Sequence, residues 1–241
     1  MSTLQAPSCH ASGISFDPAI PQRSLQPALW MFAGACILSL AAVMALQIDR
    51  SVALWFKNHR LPSDLAHLLR LSEVFGWGGG VSVIILTIAI LDSRGWRLVP
   101  KLAIASLGTG LAADVIKLFI ARTRPSATPY DATSLETFVA AFPGFYAATL
   151  ESGHGHQVQS FPSAHAATAV GLAICLSSLY PRGKWLFAAF AVLAVVQRIE
   201  ADAHYCSDVL AGSALAFALA GIYSWFRKTS SGCESRHREV G

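Results

Sequence analysis

His204 and Asp208 stand four residues apart in the stretch Arg198-Ile199-Glu200-Ala201-Asp202-Ala203-His204-Tyr205-Cys206-Ser207-Asp208. On a helix that spacing puts both side chains on one face. A carboxylate that accepts a hydrogen bond from one imidazole nitrogen fixes the tautomer. The other nitrogen is then free to attack an electrophile or to bind a metal. Arg198 ends the preceding apolar run and adds a permanent positive charge with a planar donor fork. An oriented imidazole beside a guanidinium suits chemistry on an anion.

Two further clusters suit the same chemistry. Phe161-Pro162-Ser163-Ala164-His165 opens an apolar run. A helix starting there presents free N–H groups and a partial positive charge, a ready site for phosphate. Ser163 is a good N-cap and can alternatively donate to a phosphate oxygen. His165 lies in the first turn, at the same place. The other cluster runs from Lys117 to Arg124-Pro125. On a helix, seven residues make about two turns. Pro125 ends that helix and turns Arg124 toward the headgroup layer. Asp114 and Lys117 fall inside an apolar run, where ionisable residues are functional candidates. Lys117 is near the end of the run and can also snorkel to the interface.

The medium follows from composition. Of 241 residues, 54% are hydrophobic and 13% charged, and the mean hydropathy is +0.48. A soluble domain carries about 25% charged residues, so the chain reads as a membrane protein. The net charge of +4 includes no basic run, which argues against nucleic acid as a partner. Cys9, Cys36, Cys175, Cys206 and Cys233 are scattered without a CxxC pair. Neither a disulfide framework nor a zinc site is expected.

These features predict an all-α fold, a six-transmembrane-helix bundle over residues 28–226. The spans fall at 28–46, 75–91, 102–121, 163–180, 185–197 (short, but extendable to 199) and 208–226, and the first is long enough to cross the ~30 Å core. Residues 49–73 mix Trp55, Phe56, Leu65 and Leu68 with Lys57, Arg60 and Arg70. They predict an amphipathic helix on the interface between spans one and two. Residues 1–27, with four prolines and no signal-peptide pattern, read as a disordered tail, and 227–241 as a basic cytoplasmic tail. Arg94, Arg97, Lys101, Arg182 and Lys184 put the loops 92–101 and 181–184 inside. No Lys or Arg follows Arg124 until Arg182, so 122–162 belongs outside, and both termini belong in the cytoplasm. Lys117, Arg124, His165, Arg198, His204 and Asp208 then gather at the outer face. The long 122–162 loop, with Phe138, Phe142, Phe145 and Tyr146, reads either as a cap that grips lipid or as a loop packed on helix ends.

The three clusters together resemble the type 2 phosphatidic acid phosphatase superfamily, which also includes vanadium haloperoxidases and glucose-6-phosphatase. Its pattern is a lysine, six residues, Arg-Pro; then Pro-Ser-Gly-His; then Ser-Arg, five residues, His, three residues, Asp. Lys117 to Arg124-Pro125 matches the first part. Pro162-Ser163-Ala164-His165 matches the second, with Ala164 for glycine. Arg198, His204 and Asp208 match the third, with Gln197 for serine. The resemblance implies that His204 attacks phosphorus to form a phosphohistidine and that Asp208 orients it. It implies that Lys117, Arg124, Ser163, Ala164 and Arg198 hold the phosphoryl group, and that His165 protonates the leaving oxygen. It implies a lipid phosphate as substrate, membrane lipids as surroundings, and neither metal nor cofactor. Ala164 keeps its backbone N–H but narrows the pocket.

Three alternatives stay open at this point. The buried charges also suit a transporter. Glu151, His154, His156 and His204 have the composition of a metal site. A phosphotransferase moving phosphate between lipids would use the same motifs as a hydrolase. The motifs do not specify the lipid or the oligomeric state.

Overall fold

The computed structural model describes residues 26–59, 61–141 and 155–238. The first apolar run is α1 (Gln26–Ala45). Its Pro27 lies in the first turn, where a missing N–H costs nothing. Two short helices follow, α2 (Asp49–Asn58) and α3 (Ser63–Ser72). After a 3₁₀ turn at Glu73–Phe75 comes α4 (Gly78–Leu91). The next long helix, α5 (Gly95–Lys117), contains a π-helical stretch at Ile104–Gly108. The polar end of the molecule then carries β1 (Ile120–Arg122) and β2 (Phe138–Ala141). The chain closes with α6 (Ala164–Leu179), α7 (Lys184–Glu200) and α8 (Cys206–Arg238).

The core forms around α6. It packs on α5, α7 and α8 through small side chains, with Ala166, Ala167, Ala169 and Leu172 fully buried. Small residues let helix backbones approach closely where lipid supplies no hydrophobic drive. Gly171 belongs to the same seam, since a Cβ there would collide with the carbonyl of Ala105. Leu102, Val81, Ile85 and Ala194 join Ala169 and Leu172 in one hydrophobic cluster. Trp30, Leu91, Trp96 and Trp185 instead face outward, as expected of surfaces solvated by lipid.

Among the described residues, three helices are each long and apolar enough to cross a membrane: Gln26–Ala45, Gly95–Lys117 and Cys206–Phe226. The segments Ser63–Phe75 and Gly78–Leu91 pass the same test as a pair bent by 66°. Helix α6 is shorter, 16 residues, or about 24 Å at 1.5 Å per residue.

The expected outline changes in four places. The single interfacial helix over 49–73 is two helices, because Pro62 breaks it by lacking an N–H and restricting its predecessor. Its second half, α3, runs through the 3₁₀ turn into α4 at a bend of 66°. Span three stops being helical at Lys117, not at Ala121. The chain then runs extended into β1, which pairs antiparallel with β2 in the register Ile120↔Ala141, Ala121↔Ala140 and Arg122↔Phe138, with an irregularity between Ala121 and Arg122. The fold is therefore helical with a small two-stranded ribbon, not strictly all-α. Finally, His204 precedes α8 instead of lying on it.

The two ends of the bundle differ in character. At one end Tyr180 Oη donates to Asp92 Oδ2 at 2.5 Å, Arg94 lies over the Tyr180 ring, and Lys101 Nζ donates to Ser178 Oγ at 3.2 Å. Helix directions put Lys117, His165 and Arg198 at the other end. Of the residues expected to cap that end, Phe142, Phe145 and Tyr146 lie outside the described residues, as do the metal-site candidates Glu151 and His154 and residues 1–25, 60 and 239–241.

Candidate active site

Helix starts and ends position this site. Tyr205 is the residue before α8, and its backbone N–H donates to Asp208 Oδ2 at 2.8 Å. A side chain in the first turn reaching back to the cap N–H is half of a capping box. The same Oδ2 accepts from Ser160 Oγ at 2.6 Å. His204 is held at 3% exposure by two bonds. Its backbone N–H reaches the Arg198 carbonyl at 3.1 Å, and its Nδ1 lies 2.7 Å from the Ser160 carbonyl. A carbonyl only accepts, so Nδ1 carries the hydrogen and Nε2 keeps its lone pair. The nearest approach of Asp208 to that ring is 3.8 Å, from Oδ2 to Nδ1, too long for a hydrogen bond. The tautomer is thus set by a backbone carbonyl that no sequence spacing displays, and Asp208 acts on the imidazole as a nearby charge and through Ser160. Burial pushes the His204 pKa down, and the Asp208 charge works against that shift.

Ser163 caps α6. Its φ and ψ of −74° and 112° are extended, and its Oγ accepts from the Ala166 N–H at 3.4 Å. Its own N–H donates to the Asp208 carbonyl at 3.0 Å, which ties the starts of α6 and α8 together. Gly212 makes this approach possible, since a Cβ there would run into the Ser163 carbonyl. The first turn of α6 therefore presents the N–H groups of Ala164 and His165 beside His204. His165 is half-buried and feels the charges of Arg198, His204, Lys117 and Arg124. Gly76 lets the Glu73–Phe75 turn reach the same place, where an added Cβ would stand 2.8 Å from the His165 carbonyl.

Three cations converge here. Lys117 is 8% exposed at the end of α5 and bonds Asp114 at 2.8 Å. Arg124 donates from Nε to the His156 carbonyl at 3.0 Å. Burial pulls its pKa down, and the nearby Arg198 charge adds to the shift. Arg198 pairs with Glu73 through Nη2 at 3.0 Å, while its buried Nε makes no hydrogen bond among the described residues. The buried Gln197 Oε1 is likewise without a partner there. Like charges held this close repel unless an anion sits between them, so the arrangement favours a multiply charged anion.

Beneath His204 lies a layer that sequence reasoning missed. Arg122 is the largest fully buried side chain among the described residues. It pairs with Asp49 at 2.7 Å and with Asp208, and it donates to Thr137 at 2.9 Å and Ser207 at 2.7 Å. The Phe138 and Tyr205 rings cover its faces at 4.4 and 4.3 Å. Stranding one partner of such a buried group costs about 3–5 kcal/mol. The irregularity in β1 turns Arg122 inward, and backbone bonds from Thr123 to Thr137, Arg124 to Gln157 and Ser160 to Arg122 bind the connecting loop over the site. Of the described parts of that loop, the Ser126 N–H also donates to the Asp202 carbonyl at 3.2 Å. Arg50 also reaches the loop, donating to the Ala132 carbonyl at 3.0 Å.

A helical membrane protein that gathers cations and helix-terminal N–H groups at one end of its bundle is the class these features define. Residues 98–231 match the model of the PAP2 superfamily, and the chain belongs to that family. Two curated relatives are lipid A 1-phosphatases. The protein of Rhizobium etli is 34% identical over 106 residues, covering 44% of this chain and 40% of that one. The protein of Rhizobium johnstonii is 34% identical over 119 residues, covering 49% and 40%. The matches therefore span about two fifths of the length of those relatives. Among solved structures, the transmembrane PAP2-type phosphatidylglycerolphosphate phosphatase of Bacillus subtilis superposes with a TM-score of 0.53 at 20% identity, over 84% of this chain and 96% of that one. That likeness is one of fold.

Proposed function

We propose that the protein is an integral-membrane phosphatase that hydrolyses a lipid phosphate or lipid diphosphate through a phosphohistidine on His204. The observation that carries this reading is the gathering of Lys117, Arg124 and Arg198 on the His165–His204 pair at the α6 N-terminus, with His204 Nδ1 bound to the Ser160 carbonyl so that Nε2 keeps its lone pair. Nε2 attacks phosphorus as the P–O bond to the lipid breaks. The three cations, Ser163 and the Ala164 N–H take the charge that spreads over the phosphoryl oxygens. His165 gives a proton to the departing oxygen. It then takes one from the water that cleaves the P–N bond and releases inorganic phosphate. Asp208 offsets the positive charge that His204 carries while phosphorylated.

Fixed cations do here what a metal would do elsewhere. His156 supports this view, because the Arg124 charge beside it pulls its pKa down, a field that also repels a metal ion. Purified protein assayed across phosphatidate, phosphatidylglycerophosphate, polyprenyl diphosphate and lipid A phosphates should release phosphate from at least one of them. Activity should survive chelation and be inhibited by vanadate, which mimics five-coordinate phosphorus. Loss of activity in EDTA with recovery on adding a divalent ion would contradict the metal-free reading. Transfer of the label to an added lipid acceptor rather than to water would mark a phosphotransferase.

The reading places the site on the outer face. It takes α1, the bent α3–α4 pair, α5, α6, α7 and α8 as six crossings, with α2 lying near the interface. Arg94, Arg97, Lys101, Arg182 and Lys184 at the end opposite the site support it through the positive-inside rule. A reporter fused after Gly241 should read as cytoplasmic, and an external signal would reverse the placement.

A further inference from the structure

Asp49 is a fully buried carboxylate that the mechanism above does not use, and it lies outside the segment 98–231 that matches the family model. It is the first residue of α2. Oδ2 pairs with Arg122 Nη2 at 2.7 Å, Oδ1 accepts the Ser207 backbone N–H at 2.9 Å, and the Ser207 hydroxyl donates to Oδ2. Arg122 Nη1 pairs with Asp208. One guanidinium is thus shared by two carboxylates, and all three side chains are shut off from solvent. The group carries one net negative charge. Its edge toward the nucleophile is Asp208 Oδ2, 3.8 Å from His204 Nδ1.

Resting on the reading of His204 as the nucleophile, we propose that Asp49 is a positioning residue for it. By drawing part of the Arg122 charge to itself, Asp49 leaves Asp208 able to offset the cationic imidazole of the phosphoenzyme. The other groups acting on His204 are Lys117 at the end of α5 and Arg124 beyond β1, with His165 on α6 beside it. Arg198 on α7 acts in turn on His165. The two charges among these that act directly on His204, Lys117 and Arg124, disfavour a cationic ring. Without Asp49, Arg122 would neutralise Asp208 alone, and little would oppose them. In a buried setting such unscreened charges act over several ångströms.

The test compares Asp49→Asn with Ser207→Ala. The second removes hydrogen bonds from the same cluster and leaves its charge intact. The readout is the titration of His204 by ¹H–¹⁵N NMR of histidine-labelled protein in detergent, which does not depend on turnover. In Asp49→Asn the His204 pKa should fall by about one unit, equivalent to about tenfold, and kcat on a nitrophenyl ester should fall with KM nearly constant. In Ser207→Ala the titration should stay in place. The double variant Asp49→Asn/Arg122→Gln restores one net negative charge and should return the titration toward the wild-type value. An unmoved titration in Asp49→Asn, an equal shift in Ser207→Ala, or an Asp49→Asn that fails to fold while Ser207→Ala folds would overturn the proposal and leave Asp49 as a structural anchor. Failure of the functional reading would show separately, as wild-type protein that releases no phosphate from any lipid while the titrations still differ.

Discussion

Replacing His204 with alanine should abolish turnover of every substrate, activated or not, by about 10⁴-fold or more. The residue is 3% exposed, and its Nδ1–H is committed to the Ser160 carbonyl, so Nε2 is aimed by the fold before substrate arrives. The neighbouring His165 cannot replace it, because no carboxylate or carbonyl among the described residues bonds its ring and fixes its tautomer. A purified His204→Ala protein with a wild-type unfolding midpoint and no phosphate release is the expected outcome. The acid limb of kcat/KM in the wild type has a sign that follows from burial. The nucleophile must be neutral, burial lowers the His204 pKa, and protonation therefore requires a pH below the ordinary 6.5. The limb belonging to His204 should accordingly lie under that value. Measurable residual turnover in His204→Ala would remove His204 from the chemistry.

His165→Ala should behave differently, and the difference depends on the leaving group. A lipid alkoxide needs a proton as it departs, so loss of the acid should cost about 10²–10⁴-fold. Nitrophenolate leaves as a stable anion, and the first step with that ester should be nearly unaffected. His165 sits in the first turn of α6, within the field of Arg198, His204, Lys117 and Arg124, where a departing oxygen beside the phosphoryl group would meet it. A pre-steady-state burst of nitrophenol in His165→Ala, followed by slow turnover, is the expected record. Equal losses with both esters would assign His165 a role in binding instead of proton transfer.

Much of this arrangement was legible in the sequence because rare polar residues stand out in an apolar chain. Lys117, Arg124, His165, Arg198, His204 and Asp208 each fall where a helical run starts or stops, and the alternation of chain direction puts those points at one end of the bundle. The missed residues were hidden for different reasons. Asp49 looked like an ordinary acid at a helix start, which the helix dipole favours, and its burial depends on α2 folding back over Ser207. Arg122 stood beside Arg124-Pro125 and looked like more of the same basic end. In the fold β1 ends at Arg122, whose side chain is buried, while Arg124 lies beyond it and bonds the His156 carbonyl. The Ser160 carbonyl that orients His204 is backbone, which no residue type announces. The three-residue β1 is too short for the alternation that marks a strand. The shared guanidinium of Arg122 is a tertiary event, joining α2, β1 and α8 across more than 150 residues of chain.

The most direct test of the central claim is to map the phosphoenzyme. Wild-type protein mixed with ³²P-labelled lipid phosphate, quenched in cold alkaline denaturant and digested, should yield an acid-labile, base-stable label on the peptide containing His204. His204→Ala should yield none. A label on any other residue, or phosphate release with no label at all under single-turnover conditions, would contradict the account.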